Sequence, residues 1–483
     1  MKVLALETST TSAKAMLYDT EENTFETVTQ VYAHDYSRFD RKMQAEECYL
    51  QMLSVGRELI RSARTKSTGS TVGEKIGAIA LIGVWHSLFL CRPDGELLSP
   101  VYHWNHTGAA ALCSRIRKDE ERTRRYYRTS GCMVNAIYPF FKIEMLRQMG
   151  MPVGDSLLLS QGAYNTWRMT GQLAATPCNA SGDGLLDIQK REYNWDALQE
   201  MGVQRWQLPQ LVPSETAYSL GEEAARILGI CPGIPVLPAN SDGGSNQIGA
   251  GAARKGVMTF SVGTSGAMRL TTEEANLPEN PDIWCYLSPK GYLSGAATNG
   301  CCSCTDWARQ KLFPPGTSYQ KIEEGISDRE TPPVFLPFLT GERCPGWDDD
   351  RMGGFVNIKI SHTASDLYYA VQQGVLFNLY QCYQTLVKIN PQPERIMLSG
   401  GILNSPSWTQ MCADIFNKEM SVSNVDQGSL LGGIVMGMEA AGILKNAADY
   451  QPEIVRTIVP DKVWHEKYME QYTKYLECYH ANK

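Results

Sequence analysis

Two distant stretches of the chain share one alternation of apolar and polar positions. Lys2 to Leu6 is a short apolar run that breaks at Glu7-Thr8-Ser9-Thr10-Thr11-Ser12 and resumes from Ala13 to Tyr18 before a turn at Asp19. Val257 to Val262 behaves alike, breaking at Gly263-Thr264-Ser265-Gly266 and resuming from Ala267 to Leu270. A strand, a small hydroxyl-rich turn and a second strand form the signature of a β-hairpin. Aligning Thr11-Ser12 with Thr264-Ser265 also brings Leu17 onto Leu270, which predicts two similar halves meeting across a cleft. Elsewhere strand and helix patterns alternate. Met52, Val55 and Leu59 mark a helix within Gln44 to Arg64, and the apolar run Ile76 to Val84 follows as a strand. Leu367, Val371 and Val375 make a helical stripe beside the small residues Ala370 and Gly374. Arg395 to Leu398 reads as a strand running into Gly400-Gly401, with another helix from Ser407 to Phe416. The pattern is α/β with at least two sheets. The Gly/Ala-rich segment 243–256 marks the division between the halves.

The whole chain of 483 residues is long enough for two or three domains. Its composition, 43% apolar and 20% charged, supplies a large core without staples. The formal charge of −7, with no basic run, argues against nucleic acid or an anionic membrane as partner. The longest apolar stretch, Ile76 to Trp85, is half a membrane span. The N-terminus reaches Glu7 too soon for a signal-peptide core, so a cytoplasmic protein is expected. The 14 scattered cysteines then read as reduced packing thiols. The cluster Cys301, Cys302 and Cys304 lacks a C-x-x-C pair and a nearby histidine, which argues against a metal site.

Hydroxyl-rich turns can cradle phosphate, because converging backbone N–H groups attract the anion and small residues admit it. Thr10, Thr11, Ser12 and Lys14 form one such candidate, and Gly263, Thr264, Ser265 and Gly266 another. The P-loop pattern is absent. Asp242 follows the strand Ile234 to Leu237 and precedes a helix starting near Gly243. It reads either as a helix N-cap or as a carboxylate at a strand's C-terminal end, where α/β sheets bind ligands. An ionised aspartate there can accept the proton of an attacking hydroxyl. Trp85 and His86 after the third apolar strand, with Trp104 and Asn105 beyond, offer the rings and hydrogen-bonding groups that a polyhydroxylated ligand needs. Gly400-Gly401 and Gly432-Gly433 admit either a planar base or close helix packing.

In order, these segments resemble the FGGY family of carbohydrate kinases over essentially the whole chain. LETSTTSAKAMLYD resembles its first phosphate motif, SDGGSNQIGAG its catalytic-aspartate segment and FSVGTSGAMR its second phosphate motif. LPFLTGERCPGWDDDRMGGF matches a C-terminal signature, and LSGGILNSPSWTQMCADIF with GSLLGGIVMG resembles the adenosine-binding region. The resemblance implies an actin-like ATPase fold, two ribonuclease-H-like domains around a central cleft, divided into residues 1–245 and 246–483. It implies ATP and Mg²⁺, with Asp242 as the general base that deprotonates a sugar hydroxyl. Thr10, Thr11, Lys14, Gly263, Thr264 and Ser265 match phosphate contacts, and Gly400, Gly401 and Asn404 the adenosine region. Trp85, His86, Trp104 and Asn105 fall on the sugar side, and Glu7 takes the place of a Mg²⁺-associated aspartate.

The departures concern metal and sugar. Glu7 and Ser9 replace the usual Asp and Gly, Gly108 lacks a guanidinium frequent in that segment, and Pro177 stands where an aspartate is frequent. Trp85-His86-Ser87-Leu88, Ser241-Asp242-Gly243 and GTSGAMR look most like gluconate kinases, with xylulose kinases close behind. A small sugar or sugar acid is therefore the expected partner, and a homodimer is compatible with the resemblance. A non-catalytic sugar or nucleotide sensor on the same fold is the alternative from another class. Asp242, both hydroxyl-rich turns and the absence of an appended DNA-binding segment oppose it. A cysteine-based hydrolase lacks a nucleophile–histidine pairing.

Overall fold

In the computed structural model, which describes residues 1–33, 44–66, 76–327 and 329–481, each matched hairpin lies inside its own sheet, away from the edges. In the first sheet, β1 (Lys2–Thr8) pairs antiparallel with β2 (Ser12–Asp19), and β2 with β3 (Thr24–Val31). Helix α1 (Ala45–Lys66) leads to β4 (Ile76–Gly83), which lies parallel to β1. A helical stretch including α2 (Pro139–Gln148) and α3 (Pro177–Ser181) follows. The short β5 (Tyr218–Ser219) then forms an edge beside β6 (Pro235–Ser241), itself parallel to β4.

Period-two geometry decides which helix covers which face. Leu4 and Leu6 are buried with residues of α1, whereas Val3 and Ala5 are buried on the other face with Ile434 and Val435. Burial on both faces explains why β1 is apolar throughout rather than alternating.

Helix α4 (Asp242–Gly249) leads into the second sheet through β7 (Val257–Val262) and β8 (Gly266–Thr272). Two further antiparallel strands, β9 (Trp284–Ser288) and β10 (Gly291–Thr298), extend it on one side. After α5 (Cys302–Leu312) and α6 (Ala364–Ile389), β11 (Arg395–Ser399) lies parallel to β7. Helix α7 (Pro406–Phe416) precedes β12 (Met420–Ser423), parallel to β11. Helix α8 (Gly428–Ala440) returns to cover the first sheet, and β13 (Ile454–Ile458) closes the second. The order is β9-β10-β8-β7-β11-β12-β13. The elements expected from periodicity are present with ends moved by a few residues.

Register aligns the strand ends that matter. Thr8 lies opposite Gly83, and Gly83 opposite Ser241, so β1, β4 and β6 finish along one edge. Ser261 lies opposite Ser399, so β7 and β11 finish together as well. Among the described residues all cysteines are free thiols, and no group of His, Cys, Asp and Glu is arranged to hold a metal ion by itself. No helix among them is long and apolar enough to cross a membrane.

Candidate active site

The first hairpin turn is held by its own serines. Ser9 N–H donates to the Ser12 carbonyl at 3.0 Å, and Ser9 Oγ accepts from Ser12 N–H at 3.2 Å. The two hydroxyls lie 3.1 Å apart. Ser9, which replaces a glycine of the resembled motif, therefore ties the turn through its side chain, and Ser12 is buried within it. Thr11 projects outward, and Thr10 Oγ1 accepts from Trp104 Nε1 at 3.2 Å. Glu7 and Lys14 are register partners, which places their side chains on one face. Lys14 Nζ lies 3.1 Å from Glu7 Oε1, while Ser429 Oγ, at the start of α8, donates to Oε2 at 2.5 Å. Glu7 is buried, and both its oxygens are engaged.

The second turn rests on the N-terminus of α5. Cys302 N–H donates to the Gly263 carbonyl at 2.8 Å, and Cys301 N–H to Thr264 at 3.1 Å. Thr264 and Ser265 are exposed at the tip. Gly400 has φ +98°, and a Cβ there would come within 2.5 Å of the Val262 carbonyl oxygen. A Cβ on Gly401 would meet Cys302 Sγ at 2.9 Å. Gly263, Gly400 and Gly401 thus form one floor, with Asn404 exposed at the end of the turn Gly401–Asn404. The cysteine cluster is the support beneath this floor. Burial pushes the Cys302 thiol up to about 11 and raises Cys301 and Cys304, so these sulfurs stay protonated and pack.

Asp242 leaves the C-terminal end of β6 as the first residue of α4. The N-cap is Ser241, whose hydroxyl accepts from Gly244 N–H at 2.9 Å, so the capping reading of Asp242 is corrected. The Asp242 carboxylate accepts from Gly243 N–H at 2.8 Å and is half-buried. Burial, then the charge of Glu7, hold its carboxyl above the usual carboxylate range, against the pull of Arg269 and Lys14.

Trp85 holds the base of that helix. A Cβ on Gly243 would lie 2.2 Å from the Trp85 ring, and Trp85 Nε1 donates to the Cys178 carbonyl at 2.8 Å. Its N–H is already used, so Trp85 supports Asp242 by packing. His86 has φ +61°, a strained backbone state for a non-glycine residue. Its Nδ1 bonds the Gly182 carbonyl, which fixes the proton there and leaves Nε2 as an acceptor. Burial and the nearby charges of Arg343 and Lys142 keep the imidazole neutral. The edges of Tyr138 and Tyr286 pack around it. Trp104 is exposed and Asn105 half-buried on the loop that meets Thr10.

Sequence reasoning missed the groups that hold this loop in place. Lys142 is fully buried on α2 and donates to the carbonyls of His103 at 2.6 Å, Ile137 at 2.9 Å and His86 at 3.4 Å. Burial pushes its ammonium down to about 7, while three carbonyl acceptors favour the form with three protons to give. Asp183, equally hidden, accepts from His86 N–H and lies near enough to feel the Lys142 charge. No motif announces either residue, because each lies mid-segment in apolar or small surroundings. Lys142→Met leaves the His86 and Ile137 carbonyls without that donor, while the His103 carbonyl keeps the His106 N–H at 3.0 Å. At about 1–3 kcal/mol for each orphaned group, a loss of about 2 kcal/mol or more is expected in urea unfolding. A loss below about 1 kcal/mol would mean that the carbonyls find other donors.

Comparison with known proteins gives one answer for the family. The model of the FGGY family of carbohydrate kinases, N-terminal domain, matches residues 2–249, and that of the C-terminal domain matches residues 258–441. The gluconokinase of Bacillus subtilis (strain 168) is 24% identical over 466 residues, covering 91% of this chain and 88% of its own. The xylulose kinase of Escherichia coli (strain K12) is 26% identical over 394 residues, covering 79% of each. The crystal structure of gluconate kinase from Lactobacillus acidophilus superposes with a TM-score of 0.91 at 25% identity, over 99% of this chain and 98% of that one. The fold is that of the actin-like ATPases, with two domains.

Proposed function

Because the chain belongs to the FGGY family of carbohydrate kinases, phosphotransferases that use ATP and an alcohol acceptor, we propose that it phosphorylates a hydroxyl of gluconate or a similar sugar acid, with Asp242 as general base. The observation that carries this reading is the position of Asp242. It stands at the aligned ends of β1, β4 and β6, beside the charge of Glu7 and on a helix braced by Trp85. Its raised affinity for protons suits a base that must take one from an alcohol.

The remaining roles follow from reach and chemistry. Thr10, Thr11, Lys14, Gly263, Thr264 and Ser265 meet the phosphates, while Ser12 keeps the first turn in shape. Gly400, Gly401 and Asn404 receive the adenosine. His86 Nε2, Trp104 and Asn105 meet the sugar. The division at 245/246 falls within α4, and α8 crosses back onto the first sheet, so these two helices are the connections about which the cleft closes and excludes water.

The donor set fits Mg²⁺. Glu7 and Asp242 are two carboxylates near enough to repel, and Mg²⁺ binds through one or two such groups together with substrate phosphates. When bound, the ion neutralises charge on the transferring phosphoryl group. Lys14 and Ser429 orient Glu7, whose extra methylene relative to aspartate is thereby fixed in direction.

Xylulose is the second reading, supported by the Escherichia coli relative. A coupled assay of ADP release, with ATP and Mg²⁺ against aldonates, ketopentoses, polyols and hexoses, tests both. Turnover is expected with gluconate, lost in EDTA and restored by Mg²⁺. Turnover confined to ketopentoses replaces gluconate by xylulose, and silence with every acceptor overturns the kinase chemistry.

A further inference from the structure

Beside the proposed sugar site lie two guanidinium groups with no carboxylate bound to them among the described residues. Arg269 stands on β8 between Met268 and Leu270, which point into the core, so its side chain leaves on the opposite face. That strand meets α4, where Gln247 Nε2 donates to the Arg269 carbonyl at 3.3 Å, and Arg269 feels the charge of Asp242. Arg343 lies in the turn before Trp347, its guanidinium carbon 5.9 Å from that ring. Its charge reaches His86, Tyr138 and Tyr286 as well as Arg269. The Nε atoms of both arginines are buried without a hydrogen-bond partner among the described residues. Neither enters an ion pair within 4.0 Å among those residues, although lysine–glutamate and arginine–aspartate pairs are present elsewhere.

The acids around them form no ion pair with either arginine among the described residues. Lys142 adds a third cation near His86; of the acids nearby, Asp183 faces Lys142, Glu7 and Glu342 are paired with Lys14 and Arg351, Asp282 acts on Cys344, and Asp242 is needed by the phosphotransfer step. Two like charges with unsatisfied buried N–H groups are costly unless an anion completes them. Guanidinium forks match a carboxylate in shape as well as charge.

We propose that Arg269, with Arg343 beside it, receives the carboxylate of the acceptor, so that the site selects an aldonate over a neutral ketose or polyol. The inference rests on the kinase reading with Asp242 as base. The phosphoryl group already has two turns and Lys14 to meet it, whereas no other described cation pair faces the sugar residues. Arginine at position 269 is thus a specificity-determining residue. The reacting hydroxyl lies at the Asp242 end and the carboxylate at the arginine end.

The test compares D-gluconate with its neutral relative D-glucitol and with D-xylulose. Calorimetry on the wild-type protein is expected to give at least about tenfold tighter binding for gluconate than for glucitol, weakening as salt is added. Equal affinity overturns the proposal. In R269Q, the ratio of kcat/KM for gluconate to that for xylulose is expected to fall by about 10–100-fold, mostly through KM, with partial recovery in R269K. An equal loss of kcat with both acceptors assigns Arg269 to the transferring phosphoryl group and overturns the proposal too. Wild-type protein that binds gluconate selectively but releases no ADP with any acceptor defeats the kinase chemistry, not the carboxylate site.

Discussion

Asp242→Asn is expected to lower kcat by about 10²–10⁴-fold, the span that a positioned general base contributes. The substitution keeps the shape of the side chain and its acceptor oxygen for Gly243 N–H, but an amide cannot take a proton from the sugar hydroxyl. The helix should survive, since Ser241 and not Asp242 is its cap. ATP affinity is expected to stay within about threefold, because the phosphate turns and the adenosine floor lie on other elements and, among the described residues, no direct hydrogen bond ties them to Asp242. Sugar-dependent ADP release by the variant at a near-normal rate would falsify the assignment. Fluorescence titration with ATP completes the measurement. A parallel collapse of nucleotide binding would show instead that Asp242 serves chiefly as part of the metal and phosphate site.

The positions of the candidate groups were legible to different depths. The two hairpins could be read because a strand pair with a short hydroxyl-rich turn is a local object, whole within about twenty residues. The alignment of Thr8, Gly83 and Ser241 along one edge depends on parallel pairings between segments far apart in the chain, which no local pattern encodes. Trp85 falls on the sugar side by resemblance, and the structure adds that its N–H goes to Cys178 and its ring under Gly243. A tryptophan after a strand carries no mark of which surface it will meet. Lys142 and Asp183 were invisible for the same reason, since burial of a charge is decided by distant carbonyls and amides. Arg269, Arg343 and Ser429 sit inside recognisable motifs, but their meaning comes from missing or cross-domain partners that no motif displays.

The pair of glycines read as either a base-binding turn or close packing resolves to packing, and Gly432→Ala is the second large effect expected. A Cβ on Gly432 would lie 1.8 Å from the Ser245 carbonyl oxygen and 2.6 Å from its carbon, while one on Gly433 would press on Ile82 of β4. The Ser245 atoms are helix backbone, so no rotamer change relieves the first clash, and α8 must move off α4 as a body. Overpacking of a close-packed interior costs about 1–3 kcal/mol even where side chains can yield, so about 3 kcal/mol or more is expected here. The cost reaches the chemistry too. Ser245 is one turn beyond Asp242, and Ser429, on the same helix as Gly432, holds Glu7. Any G432A protein that folds should therefore lose kcat by a larger factor than affinity for ATP. Urea unfolding and steady-state kinetics check the two parts. Gly154→Ala is the control, because no atom lies within 4 Å of a Cβ at that position, and it should stay within about 0.5 kcal/mol of wild type. If G432A unfolds like the control, the two helices are not in backbone contact and the crossing is not the connection about which the cleft closes.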